Sequence, residues 1–396
     1  MRYAAWMESG TPLVATGQQI GAGWSPALSV VKALAALAVA ESLGGQAVYW
    51  MADEDHDHLE VASVVGREGE RLRRHRFRFG IPEGTATGWL PWTDLHQNEA
   101  EALWGPLPRP AEPTLKAHVR ALGEPLWRRG LQPFSPTASA VRAPIQPELE
   151  RWRALDLERD LIARADALAA EGVKLVLDPR TQAAWFALDP HTGRRTRLEP
   201  GQPLPTGHWL SPGAAVRPLM QSLLLPVTHV VLGPGERAYW RLCEPLWDRV
   251  GLAAPIIVPR PRAFVVPRGL PLTPAQLPDL KAGRWEAFAQ SAALPSLGLQ
   301  MPQTSPLWSA ALGKRVMDEY ARFQGRVRRL DARFLRDQVQ RTWGRDPERV
   351  RQALYPLGKD QERLLPGWFW LRDEALLDRM MAALRTGSDL VLVEEA

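Results

Sequence analysis

One cysteine, Cys243, stands in 396 residues, so no intramolecular disulfide and no thiolate-rich metal cluster can form. Set in "RAYWRLCEPLW", it reads as a packed thiol on a helix rather than a nucleophile. Long apolar runs are also lacking: the most apolar helical stretch, 27–43, carries Lys32 and Glu41 and falls short of the roughly 20 residues of a membrane span. The opening "MRYAAWMESG" has no basic segment followed by an apolar one, so a soluble, cytoplasmic protein with no membrane partner is expected. An excess of one charge is absent as well. The formal net charge is +5, and the basic residues, nearly all Arg, alternate with acids instead of forming the stripe that a nucleic-acid partner requires. No G-x-x-x-x-G-K-[ST] occurs, no G-x-G-x-x-G follows the first strand, and no G-x-S-x-G is found. P-loop, dinucleotide and serine-nucleophile chemistry are thereby set aside.

What is present points to an α/β protein. Hydrophobic residues make up 45% of the chain, ample for a buried core. The runs "PLVA", "QAVYWMA", "VKLVLD", "THVVLG" and "PIIVP" read as strands, alternating with helical patterns at 26–43, 147–170 and 236–250. A Pro- and Trp-rich insertion is expected near 89–147. The core extends over 1–265, a Pro-rich connector over 266–306, and a helical region ending in a last strand over 307–396. In that region "LWSAALGKRVMDEYARFQGRVRRLDARFLRDQVQRTWG" has apolar residues near helical spacing and predicts a long exposed helix or a helical hairpin, which packs on its own core or on a second subunit.

Three stretches carry candidate chemistry. "VATGQQIGAGWSP" is a strand-to-helix corner with Ser25 as N-cap, and such corners aim backbone N–H groups and the helix dipole at one spot that suits an anion. Thr16, Gly17, Gln18, Gln19 and Gly21 line it. "YWMADEDHDHLEVA" puts Glu54, Asp55, His56, Asp57 and His58 at the carboxyl end of a strand, where open α/β sheets hold ligands. A solvated loop, metal ligation through His56 and His58, and acid–base work by a carboxylate-supported His56 all remain open there. "RPLMQ" and "VVLGPGERAYW" add Arg217 and Gln221 on one helix face, a second anion corner at Gly233, Gly235 and Glu236, and Tyr239 as a cavity wall.

The order of "TGQQ", "SPALSVVKAL", "EDHD", "RPLMQ", "GPGE" with "AYW", "VPR" at 258–260 and "LGKDQER" at 357–363 resembles the bacillithiol biosynthesis cysteine-adding enzymes, the BshC family, over nearly the whole chain. The resemblance implies a Rossmann-like, nucleotidylyltransferase-type core with a C-terminal coiled coil that forms a homodimer. It also implies a ligase joining L-cysteine to glucosaminyl-malate by an amide bond. By superfamily analogy ATP with Mg2+ would activate the cysteine carboxylate as an acyl adenylate. Gln18, Gln19 and Gly21 would then hold phosphate, Asp55 or His56 would position or deprotonate the amine, and Arg217, with Arg260 as a second candidate, would pair with malyl carboxylates. Asp57, Gln221 and Tyr239 complete the expected substrate site, and no metal is assigned to the protein itself. Asp53 and Ser25 stand where family members commonly have glycine. A metal-dependent hydrolase or deacetylase built on Glu54–His58, and a scaffold resting on the C-terminal helices, are the rival expectations.

Overall fold

A computed structural model describes residues 10–68, 71–289 and 309–395. Five strands, Leu13–Gln18 (β1), Gln46–Met51 (β2), Gln132–Phe134 (β3), Val227–Leu232 (β4) and Ile256–Pro259 (β5), form one parallel sheet in the order β3-β2-β1-β4-β5. The strand order reverses between β1 and β4, the place where doubly wound sheets open a crevice for a ligand. Helix α1, Leu28–Ser42, follows β1 and is apolar on nearly every side, as a helix covered all round must be. Its one central charge, Lys32, is fully buried.

Four of the five expected core strands form. "VKLVLD" does not: 173–178 is irregular, with Val176 56% exposed. The edge place goes to β3, whose Phe134 is fully buried and stacks on Trp50 of β2 at 5.3 Å, so aromatic burial outweighs the β-branched run. The insertion near 89–147 therefore supplies part of the sheet. The expected 147–170 helix breaks at Asp156, at φ 55°, into Gln146–Ala154 and Leu157–Ala170. Ser25 is not the N-cap of α1: it precedes a cis proline, Pro26, and the helix begins three residues later.

The chain divides into two compact units, the first running up to Phe264 and resuming over Glu362–Glu394, the second spanning Val265–Gln361. Residues 362–394 thus belong with the sheet rather than with a separate C-terminal region. In the first unit the helix Arg217–Leu224 (α2) leads into β4, and Pro234–Val250 (α3) leaves it. The second unit contains Ala310–Trp343 (α4), one continuous helix of 34 residues. The Pro-rich connector runs into 290–308, which lie outside the described residues.

Candidate active site

At the carboxyl ends of β1, β2 and β4 lies a cavity of about 280 Å3 lined by Gly17, Gln18, Gln19, Asp55, Glu60, Arg217, Gln221, Glu236, Tyr239 and neighbouring apolar groups. Eight of the residues expected from the sequence meet there. Gly17 is required by close approach: a Cβ on it would stand 2.5 Å from the Trp50 carbonyl oxygen, which the β1–β2 pairing cannot yield without parting. Gly21 is confined in the same way by the Ser25 carbonyl at 2.2 Å.

The floor of the cavity is an ion pair absent from the expected site. Lys32 Nζ donates to Glu236 Oε1 and Oε2 at 2.7 and 2.8 Å, to Gln18 Oε1 at 3.2 Å and to the Gly17 carbonyl. Burial lowers the Lys32 pKa, against the pull of Glu236. Glu236 Oε2 also accepts from Gly233 N at 2.8 Å, capping α3 from within. Both expected anion corners are thereby altered. The Gly233–Gly235 corner holds a carboxylate of its own chain, and Thr16 faces away, donating to the Val231 carbonyl across the sheet at 3.1 Å.

The acidic stretch after β2 is neither a solvated loop nor a metal site, because each of its members except Asp57 meets a partner from a distant segment. Asp53, fully buried, accepts from the hydroxyls of Ser135 and Thr137 and lies 3.4 Å from Lys116 Nζ; burial pushes its carboxyl up, opposed by Lys116. Glu54 pairs at 3.0 Å with Arg142, both side chains fully buried, and accepts from Ser211 Oγ. Asp55 Oδ2 accepts from Arg217 Nη1 at 2.6 Å. Burial alone would raise its carboxyl, but Arg217, Arg195 and a hydrogen bond from Gln19 hold it far below the usual carboxylate range. Arg217 loses proton affinity to burial and regains more from Asp55 and Glu54, so its pKa rises.

His56 Nδ1 accepts from Arg195 Nη1 at 2.9 Å, since a guanidinium can only donate. Burial, and then the Arg195 charge, lower the His56 pKa. Arg195 is anchored on Ser211 Oγ and the Pro212 carbonyl and stacks on Phe186 at 3.7 Å; burial lowers its own pKa to about 9. A neutral His56 with Nδ1 occupied carries its proton on Nε2, so it is a donor and not the base expected from the sequence. His58 is a brace: Nε2 bonds the Thr85 carbonyl at 2.6 Å. With both imidazoles engaged, the hydrolase expectation loses its donor set, and no group of three His, Cys, Asp or Glu is placed to hold a metal among the described residues.

Two further expectations are corrected. Asp57 caps the helix His58–Ala62, accepting from Glu60 N at 3.0 Å, and is exposed. Arg260 does not face the cavity; its fork is closed by Glu362 at 2.8 and 3.0 Å, inside the stretch "LGKDQER". Lys32, Glu60, Lys116, Arg142 and Arg195 join the site or its support without having been expected from the sequence. Only Lys32 left a signal, a single charge in an otherwise apolar helix.

The fold and site together define a Rossmann-like α/β protein with a polar crevice at its switch point. Residues 205–261 match the family described as bacillithiol biosynthesis BshC, N-terminal Rossmann-like domain. A protein of Thermus thermophilus named "Putative cysteine ligase BshC" is 27% identical over 93% of this chain and 86% of its own length. One of the same name from Salinibacter ruber is 25% identical over 94% and 81%. Over nearly its whole length the chain is similar to members of the BshC family. The tryptophanyl-tRNA synthetase from Giardia lamblia aligns over 98% of this chain and 82% of that one at 11% identity, but with a TM-score of 0.33 the likeness carries no weight.

Proposed function

We propose that this chain is an amide-forming ligase of bacillithiol biosynthesis that joins L-cysteine to glucosaminyl-malate. The observation that carries it is the likeness, across nearly the whole chain, to relatives that bear the cysteine-ligase name. The cavity suits the amine partner. Asp55, held ionised by Arg217 and Gln19, is a fixed acceptor for an ammonium or hydroxyl group, while Gln18, Gln221 and Tyr239 offer neutral polar contacts. Arg217 Nη2 makes no bond to a protein group among the described residues, so it can touch a malyl carboxylate through one nitrogen, short of the bidentate grip expected from sequence.

An attacking amine must be neutral, so one proton has to leave it. Asp55 is too weak a base and the Nδ1 lone pair of His56 is taken. Glu60 lines the same cavity; burial first, and then Asp57 and Asp55, push its carboxyl up to about 7, a push that solvent on its open side limits. Glu60 is the acceptor in this scheme. Bound ATP with Mg2+ would supply the activation that amide formation from a free carboxylate requires. The Gln18–Gln19 and Gly233–Gly235 corners fit a triphosphate poorly, because Glu236 already neutralises Lys32 and caps α3. A homodimer through α4 completes the scheme.

Mass spectrometry of the protein with glucosaminyl-malate, cysteine and Mg-ATP tests it, beside reactions without ATP and with Arg217→Ala. An ATP-dependent cysteinyl amide, lost in the variant, is the expected result. Absence of product and of glucosaminyl-malate binding by the folded wild type overturns it.

A further inference from the structure

The cations around the cavity are all engaged: Lys32 by Glu236, Arg142 by Glu54, Arg217 by Asp55, and Arg195 by His56 and two further oxygens. A neighbouring cleft differs. Ser25 and Pro26 ahead of α1, the antiparallel hairpin Ser63–Glu68 and Arg71–Arg76, and Arg363 enclose about 470 Å3. Arg74 and Arg76 sit two apart on one strand, opposite Val65 and Ser63, so they share a face. Arg363 reaches the same cleft from almost three hundred residues on. None of the three guanidinium groups forms a hydrogen bond or ion pair with a protein group among the described residues. Ser25 is only 9% exposed, and its Oγ has no partner among the described residues.

Arginines on an edge strand also serve to block strand addition. That duty does not call for convergence with a third arginine from a remote segment, nor for an unpaired buried hydroxyl beside them. The start of α1 adds the positive end of a helix dipole. His75 lies within the cleft, its Nε2 3.0 Å from Glu99 Oε1. Among the described residues the one acid lining the cleft is Glu60, which is also a wall of the main cavity.

We propose that this cleft binds the polyphosphate chain of a ligand, with Arg74, Arg76 and Arg363 as the cationic grip and Ser25 Oγ as an added donor. The extension to a nucleotide rests on the ligase reading: the main cavity, at about 280 Å3, is small for a whole nucleoside triphosphate, and the cleft lets the phosphates lie outside it, past Glu60. Grip on phosphate alone does not depend on that reading.

Calorimetric titration of the full chain with inorganic tripolyphosphate, and separately with ATP, tests the site. The variants are Arg74→Gln/Arg76→Gln, Arg363→Gln and Ser25→Ala, with Arg120→Gln as an exposed arginine that does not line the cleft. Loss of charge-assisted bonds should weaken tripolyphosphate about tenfold or more in the double variant, with a smaller loss in Ser25→Ala and none in Arg120→Gln. Equal loss in Arg120→Gln, or no binding by the wild type, overturns the proposal. Parallel weakening of ATP assigns a nucleotide; weakening of tripolyphosphate alone assigns an inorganic phosphate chain. If the double variant binds both as the wild type does while amide is still formed, the cleft fails and the ligase stands. If binding is lost as expected but the wild type forms no amide, the ligase fails and the cleft stands.

Discussion

Asp55 and His56 occupy the place in the chain where chemistry was expected, yet neither is free to take a proton, because Arg217 and Arg195 arrive from more than 130 residues away to engage them. The sequence shows which residues are reactive by type; the partners that set their protonation come from the fold. Glu60 then carries the pH dependence. With its carboxyl up to about 7, kcat/KM should climb as pH rises through that value, as the ionised form accumulates. Glu60→Gln should lose that limb and about 100- to 10,000-fold in kcat, read from initial rates across pH at substrate levels from well below KM up to saturation. A flat wild-type profile would exclude Glu60. Glu236→Gln makes a different point. It leaves Lys32 buried without a carboxylate and should cost about 3–5 kcal/mol in urea unfolding. A buried lysine with a lowered pKa binds fewer protons folded than unfolded, so that variant should regain stability as pH rises towards the ordinary lysine value of about 10.4.

Among elements, β1, β2 and β4 were legible because a largely buried parallel strand writes an apolar run, and β5 because its β-branched run suits a strand even at the sheet edge, where Ile256 and Ile257 stay 61% and 42% exposed. The three-residue β3 carries no such run, and its place was decided by Phe134 stacking on Trp50; "VKLVLD" has the composition of a strand but no partner. Helix α4 was legible as a helix from its periodicity. What covers it was not. Phe323 and Leu330 stay 38% and 63% exposed and, being seven apart, lie on one stripe. If α4 pairs two subunits as proposed, Phe323→Glu/Leu330→Glu should shift the sedimenting species from dimer to monomer while the helical circular dichroism is kept. A monomeric wild type would remove the dimer from the scheme.

For the whole molecule, the contribution least visible in sequence is that of "LGKDQER". Its glutamate closes a buried fork with Arg260, and Ala263 N also donates to that carboxylate at 3.0 Å. Periodicity cannot report a contact across a hundred residues. Glu362→Gln should therefore destabilise the first unit by about 3–5 kcal/mol, measured as a lower urea midpoint, with product formation falling only as far as the folded fraction does. The division of the chain has a further consequence. Since 362–394 complete the unit that begins before β1 while Val265–Gln361 lie between, a ribosome delivers the closing piece only after the intervening unit has been made. Until then Arg260 has no carboxylate, and the nascent sheet must wait, exposed to chaperones and proteases, for its last segment to emerge.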